Sequence, residues 1–224
     1  KECVFTKKSI DIVELMDALR SDFDGYEMMR RQLLSVPKWG NGNSSVDSIA
    51  KLVTDMLYSE MRHRTNPRGG RWQLALYSFV ANYGLGSVVG ASSDGRHARE
   101  MLTRNLNPSW GTDRNGTTAI LRSLSNIDFT KFPNGSTLDL RFDPEPLQTS
   151  EGIEKFIGFL KAFVDLGVMT MQISMVNEET LRDAQKNPEN YPNLTVKVAG
   201  YSARFVELSA QEQEEIIRRT TQRL

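Results

Sequence analysis

The chain has little with which to cross-link itself or to hold a metal. Its 224 residues include one cysteine, Cys3, and two histidines, His63 and His97. A lone thiol excludes an internal disulfide framework. Three such residues fall short of the four Cys or His ligands of a structural zinc site. An excess of one charge is also missing, because 28 basic residues face 28 acidic ones. A neutral protein lacks the electrostatic footprint of sequence-independent nucleic-acid binding. No apolar run approaches the roughly 20 residues of a membrane span. The start, Lys1-Glu2-Cys3-Val4-Phe5, has no signal-peptide apolar region. The expectation is a cytoplasmic protein with neither nucleic acid nor membrane as partner. Four Asn-x-Ser/Thr triplets, at Asn43, Asn115, Asn134 and Asn193, then read as chance.

With 39% hydrophobic and 25% charged residues, the composition is that of a globular protein. The length suits one large domain or two small ones. Ser9 is a candidate N-cap for helical spacing over 10–34, interrupted at Gly25. Residues 37–45 carry loop chemistry. Over 46–64, Ile49, Leu52, Val53, Met56, Leu57 and Met61 form an amphipathic helix pattern. Residues 72–79 are too apolar to classify, and the glycines at 84–95 read as loop. Residues 105–116 are irregular, and a short helix starts near Thr117.

The second half is more regular. Residues 136–142 alternate, with Leu138, Leu140 and Phe142 on one face. A strong amphipathic helix over 152–166 ends at Gly167, a natural residue to follow a helix C-terminus. A strand over 168–176, a helix over 178–186, a strand over 194–198 and a closing helix over 210–223 follow. Strand and helix alternate, which predicts an α/β layer or barrel with parallel strands.

Several motifs carry little chemistry. Gly84-Leu85-Gly86-Ser87-Val88-Val89-Gly90 superficially has dinucleotide-fingerprint spacing, but its third glycine is one residue late and no strand–turn–helix context supports it. It reads as a structural turn. Arg62, His63, Arg64, Arg68 and Arg71 read as a solvated face that complements a helix dipole. Neither histidine has a nucleophile at a diagnostic spacing.

Gly200 is different. In Leu194-Thr195-Val196-Lys197-Val198-Ala199-Gly200-Tyr201-Ser202-Ala203 it stands where a strand should gain another side chain. Glycine there weakens the ladder, and it marks a bulge or a close approach. Further on comes Glu212-Gln213-Glu214-Glu215-Ile216-Ile217-Arg218-Arg219-Thr220. Together these segments resemble the signature end of glycyl radical enzymes, Arg-Val-Ala-Gly-Tyr-Ser followed by a helix closing on Ile-Ile-x-Arg-Thr. Lys197 stands in for the arginine. Gly90-Ala91-Ser92-Ser93-Asp94-Gly95-Arg96 resembles the family's Gly-Ala-Thr-Pro-Asp-Gly-Arg turn. Asp113-Arg114-Asn115-Gly116-Thr117-Thr118-Ala119 is similar to its Gly-Pro-Thr-Ala loop, with Thr117 in place of proline. Gln172, 179–185 and Pro188-Glu189 fit the approach to the radical loop, and Phe23-Asp24-Gly25-Tyr26-Glu27 fits an upstream helix.

The resemblance implies the C-terminal part of a ten-stranded α/β barrel with a glycyl radical loop. Residues 1–125 would form a helical and loop region, and 126–224 an α/β region carrying the glycyl radical domain. It implies a radical on Gly200, with Val198, Ala199, Tyr201 and Ser202 supporting the loop. Gly116, Thr117, Thr118 and Ala119 would form a pocket loop, and no metal would be bound. The implied activity is cleavage of a C–O, C–N or C–S bond in a small polar substrate, in the lyase and dehydratase branch. A fumarate-adding synthase and a spare part for an oxygen-cleaved enzyme are the alternatives. The thiyl cysteine would come from a large partner subunit or an N-terminal part, because Cys3 lacks the Gly-Cys-x-Glu context. The chain is accordingly expected to be inactive alone. Installing the radical implies an activating enzyme that holds S-adenosylmethionine and an iron–sulfur cluster. Tyr201, Ser202 and Phe205 are expected to pack the loop, and Arg204 to pair with an acidic substrate or a core carboxylate.

Overall fold

The computed structural model describes residues 1–78, 81–198 and 201–222. The chain divides into two compact units, Lys1–Pro37 with Val80–Leu102, and Lys38–Phe79 with Thr103–Leu224. No helix among the described residues is long and apolar enough to cross a membrane.

The first unit is helical. Helix α1 (Ile12–Arg20) is capped by Asp11, not Ser9. The Asp11 carboxylate accepts from the amides of Val13 (2.8 Å) and Glu14 (3.3 Å). A carboxylate at this position satisfies amides that the first turn leaves free. Gly25, at φ +77°, turns the chain into α2 (Glu27–Ser35). Cys3, Ile10, Leu15, Ala18, Phe23, Met29 and Leu33 form the core. The predicted turn at 90–96 is present, with Gly95 at φ +97° and Ser92 accepting from the Gly95 amide. The expected loop-like stretch before it is instead helix α4 (Ala81–Val88). Its glycine has a packing reason, since a Cβ on Gly86 would lie 2.7 Å from the Glu100 carbonyl oxygen. Close backbone approach, not turn geometry, excludes a side chain there.

In the second unit, Asn43 caps α3 (Ser44–Met61). The apolar stripe of α3 faces outward: Leu52, Val53, Met56 and Leu57 are exposed, while Asp47 and Thr54 are buried. The cationic loop that follows is solvated from Arg62 to Arg71, as expected. Helix α5 (Gly116–Leu124) packs Ile120, Leu121 and Leu124 against strand β1 (Thr137–Phe142). Helix α6 (Ser150–Asp165) follows, capped by Thr149 and ended by Gly167 at φ +73°. It delivers Phe159 and Phe163 to the same core, where Phe142 meets Phe156 and Phe159 edge to face. Each fully buried Leu or Phe here contributes about 1.5–3 kcal/mol. Strand β2 (Thr170–Met175) pairs parallel with β1, from Thr137 opposite Thr170 to Phe142 opposite Met175.

Helix α7 (Glu178–Lys186) has its predicted bounds. The predicted third parallel strand is different. Strand β3 (Thr195–Lys197) does not join the sheet but pairs antiparallel with β4 (Ser202–Arg204). The closing helix α8 (Ala210–Arg218) starts in a Ser209/Glu212 capping box and ends five residues early. Arg219 is extended, and β5 (Thr221–Gln222) completes a parallel sheet of order β2-β1-β5.

Two glycines on α6 test this packing. A Cβ at Gly152 would lie 1.9 Å from the Pro146 carbonyl oxygen, whereas one at Gly158 meets nothing within 4 Å. Gly152→Ala should lower stability by about 1–3 kcal/mol. Gly158→Ala should raise it by about 0.5–1 kcal/mol through helix propensity. Equilibrium urea denaturation of the two variants checks the opposite signs.

Candidate active site

Gly200 and Ala199 lie outside the described residues. What flanks them is a hairpin. Lys197 stands opposite Ser202 at the end of the β3–β4 ladder, and the Val198 amide donates to the Tyr201 carbonyl at 3.0 Å. Valines two apart point to one face of a strand. Val196 and Val198 accordingly enter a small core with Leu181, Ala184, Phe205, Ile216 and Ile217. Phe205 packs as expected, with no exposed surface. Tyr201 is half exposed and Ser202 exposed, so their side chains do not pack the hairpin as expected; Tyr201 meets Val198 and Ser202 pairs with Lys197 through the backbone. Among the described residues, the carboxylate that Arg204 meets is not a core one. It pairs with Glu207 at 3.1 Å on the surface.

The hairpin is tied to the sheet by charge. Arg219 Nη1 donates to the Lys197 carbonyl at 2.8 Å, and Nη2 reaches the Val198 carbonyl at 3.4 Å. The same guanidinium grips the Glu215 carboxylate at 2.7 and 3.2 Å. Glu215 lies 3.6 Å from Arg104, whose Nε donates to Asp139 of β1 at 3.0 Å. Asn105 donates to the same Asp139 oxygen at 2.6 Å. Side-chain exposures along Arg104, Asp139, Glu215 and Arg219 are 3, 5, 1 and 11%. Charges this deep persist only when paired and hydrogen-bonded.

Arg141, on the same face of β1 as Asp139, meets the end of α8. Its guanidinium donates to the carbonyls of Ile216 (3.0 Å), Ile217 (3.2 Å) and Arg219. They lie at the negative end of the helix dipole, where the helix leaves its last carbonyls short of amide partners; the Ile216 carbonyl also accepts from the Arg219 amide at 3.4 Å. The contact lies where the closing helix stops and the chain turns extended at Arg219. Burial draws the Arg141 guanidinium down to about 10, so it stays charged at neutral pH. Beyond it, Asp113 accepts from the Thr220 hydroxyl and from Gln222 (2.6 Å). Burial raises the Asp113 carboxyl above its ordinary value, against those two hydrogen bonds. A cavity of about 30 Å³, the room of about one water, lies among Arg104, Asp113, Asp139, Arg141, Glu215 and Arg219.

The expected pocket residues Gly116, Thr117, Thr118 and Ala119 are the first turn of α5, not a loop. Thr117 and Ala119 are buried and Thr118 is exposed. Cys3 is buried in the first unit's core, and His97 pairs with Asp22 at 3.1 Å in that unit. Arg104, Asp139, Arg141 and Glu215 escape a reading from motifs. Their signal is physical, since a strand inside a parallel sheet is buried on both faces. Its charged alternates therefore need buried partners.

Residues 102–206 match the family model described as glycine radical, and residues 1–86 match the one described as pyruvate formate lyase-like. The chain belongs to the glycyl radical enzyme family. It is 37% identical over 223 residues to an isethionate sulfite-lyase of Nitratidesulfovibrio vulgaris, covering 98% of this chain and 27% of that protein. It is 33% identical over 220 residues to a trans-4-hydroxy-L-proline dehydratase of Clostridioides difficile, covering 98% and 28%. Among solved structures, the glycerol-bound B12-independent glycerol dehydratase from Clostridium butyricum superposes with a TM-score of 0.94 at 35% identity. That match covers 100% of this chain and 28% of that one. The chain thus spans little more than a quarter of these relatives.

Two predictions follow from the buried charges. Arg141→Met removes a charged donor shared by three carbonyls and should cost about 3 kcal/mol or more, read by denaturant midpoint. For Asp113 the folded carboxyl holds its proton more tightly than the unfolded one, whose ordinary value is 3.8. Its contribution is therefore fully present below that value and is lost as pH rises through the folded one. The stability of the unaltered protein relative to Asp113→Asn should decline as pH is raised from below 4. A difference independent of pH between 3 and 7 would contradict this.

Proposed function

We propose that this chain is the radical-storing part of a glycyl radical lyase or dehydratase. Such an enzyme would cleave a C–O, C–N or C–S bond in a small polar substrate. The supporting observation is that the Val-Ala-Gly-Tyr-Ser motif at 198–202 follows β3 and runs into β4, two strands held on a dedicated core, in a chain similar over 98% of its length to a sulfite-lyase and a hydroxyproline dehydratase.

Glycine suits the task. When the hydrogen atom leaves Cα, its electron goes with its proton. The unpaired electron that remains spreads over the adjacent amide nitrogen and carbonyl. That centre is favoured when planar, and a side chain would crowd the planar backbone. Dioxygen would trap the radical and break the chain at Gly200.

The thiyl cysteine that takes the radical to substrate comes from a part outside this chain, completing a ten-stranded α/β barrel. The outward apolar stripe of α3 supports such a cover, since a contiguous exposed patch marks an interaction surface. Turnover then requires that part. The radical is installed by an activating enzyme that uses S-adenosylmethionine and an iron–sulfur cluster, under anaerobic conditions in the cytoplasm. The residues at 116–119 contribute to the substrate pocket.

Activation of the protein followed by electron paramagnetic resonance tests the proposal. A glycine-centred doublet is expected. Exposure to air should then shorten the chain at Gly200, and Gly200→Ala should abolish both effects. Absence of the doublet after treatment with a competent activating enzyme sinks it.

A further inference from the structure

We infer that Arg219 is a positioning residue of the radical hairpin, and that Glu215, Arg104 and Asp139 aim it. The inference rests on the radical reading of Gly200 for its functional meaning, but its geometry stands apart from that reading.

Consecutive carbonyls of an extended strand point to opposite sides, so one side chain seldom reaches two in a row. Here the Lys197 and Val198 carbonyls both accept from one guanidinium, at 2.8 and 3.4 Å. The chain is therefore held where β3 gives way to the Ala199–Gly200 step. A planar fork with several fixed donors can hold two acceptors at a defined angle, whereas a lysine ammonium is a point charge. Hydrogen bonds from a cation are roughly twice as strong as neutral ones. The fork is itself oriented from behind, because Glu215 takes both Nε and Nη2 of Arg219. Glu215 is almost fully buried and faces Arg104, which is locked onto Asp139. The placement of the two carbonyls is thus referred back to β1.

The Val198 and hairpin-ladder amides report on this clamp. In the full polypeptide that carries these residues, hydrogen–deuterium exchange is followed in a peptide spanning 194–205 and in one spanning 178–186 of α7. After activation, the lifetime of the glycine-centred doublet is measured anaerobically. In Arg219→Gln, exchange in 194–205 should rise by at least about ten-fold while that in α7 stays unchanged, matching the loss of charge-assisted bonds. The doublet should decay several-fold faster. Arg219→Lys should restore part of both, and Glu215→Gln should loosen the hairpin less than Arg219→Gln. If Arg219→Gln does not fold, Arg219→Lys decides, with a smaller loss confined to 194–205. Exchange that is unchanged, or that rises equally in both peptides, overturns the clamp, as does an unaltered doublet lifetime. A missing doublet in the unaltered protein refutes the radical reading instead. The exchange data then still decide the geometry.

Discussion

A strand buried on both faces cannot leave a charge without a partner, and β1 carries two. Asp139 and Arg141 share one face of a strand whose other face holds Leu138, Leu140 and Phe142 in the main core. The cost of desolvating these charges is met by routing them into the C-terminal segment. Arg141 takes the carbonyls that end α8, and Asp139 holds Arg104, which faces Glu215. The end of α8 and the Arg219 guanidinium both meet this line of charges. An apolar substitution of the whole set could be as stable. It would lose the directionality that brings one guanidinium onto two particular carbonyls.

Much of this fold is legible in the sequence where a local signal agrees with its surroundings. Helix α7 and the Gly167 stop are read correctly because caps and periodicity act within a few residues. The misreadings share a cause. Glycines in α4 read as loop, but Gly86 is there because another backbone passes close by. The strand at 194–198 reads as one more parallel strand, although its partner is β4 across a short connection. Strand β5 has two residues and no pattern of its own. For the site, Gly200 and Arg219 stand out through their motif. Glu215, Arg104 and Asp139 do not, since nothing in a sequence says that residues 35 to 111 positions apart will share one buried line.

The outward stripe of α3 is an apolar surface that its own unit does not cover. Leu52, Val53, Met56 and Leu57 fall at helical spacing, yet they face away from the unit's own core. Helix α6 behaves alike, with Ile153, Ile157 and Val164 exposed while Phe159 and Phe163 are buried. A helix with apolar residues on both sides, as α6 has, belongs between layers, and α3 turns its apolar stripe outward while burying Asp47 and Thr54. The relatives are more than three times as long as the matched region.

The hairpin and the sheet also differ in how they are held. Each has its own apolar core, one built around β1, α5 and α6, the other around α7, α8 and the hairpin. Apolar contact is non-directional and tolerates small displacements. The line from Asp139 to Arg219 is directional, because hydrogen bonds weaken steeply when bent. Burial makes the hairpin stable, and charge makes its position definite. A radical centre needs the second property more than the first, because hydrogen-atom transfer depends on a short distance between the atoms that exchange it. A glycine with no side chain cannot anchor itself. Its neighbours' carbonyls are then the nearest groups that a clamp can hold, and Arg219 holds the two that precede the Ala199–Gly200 step.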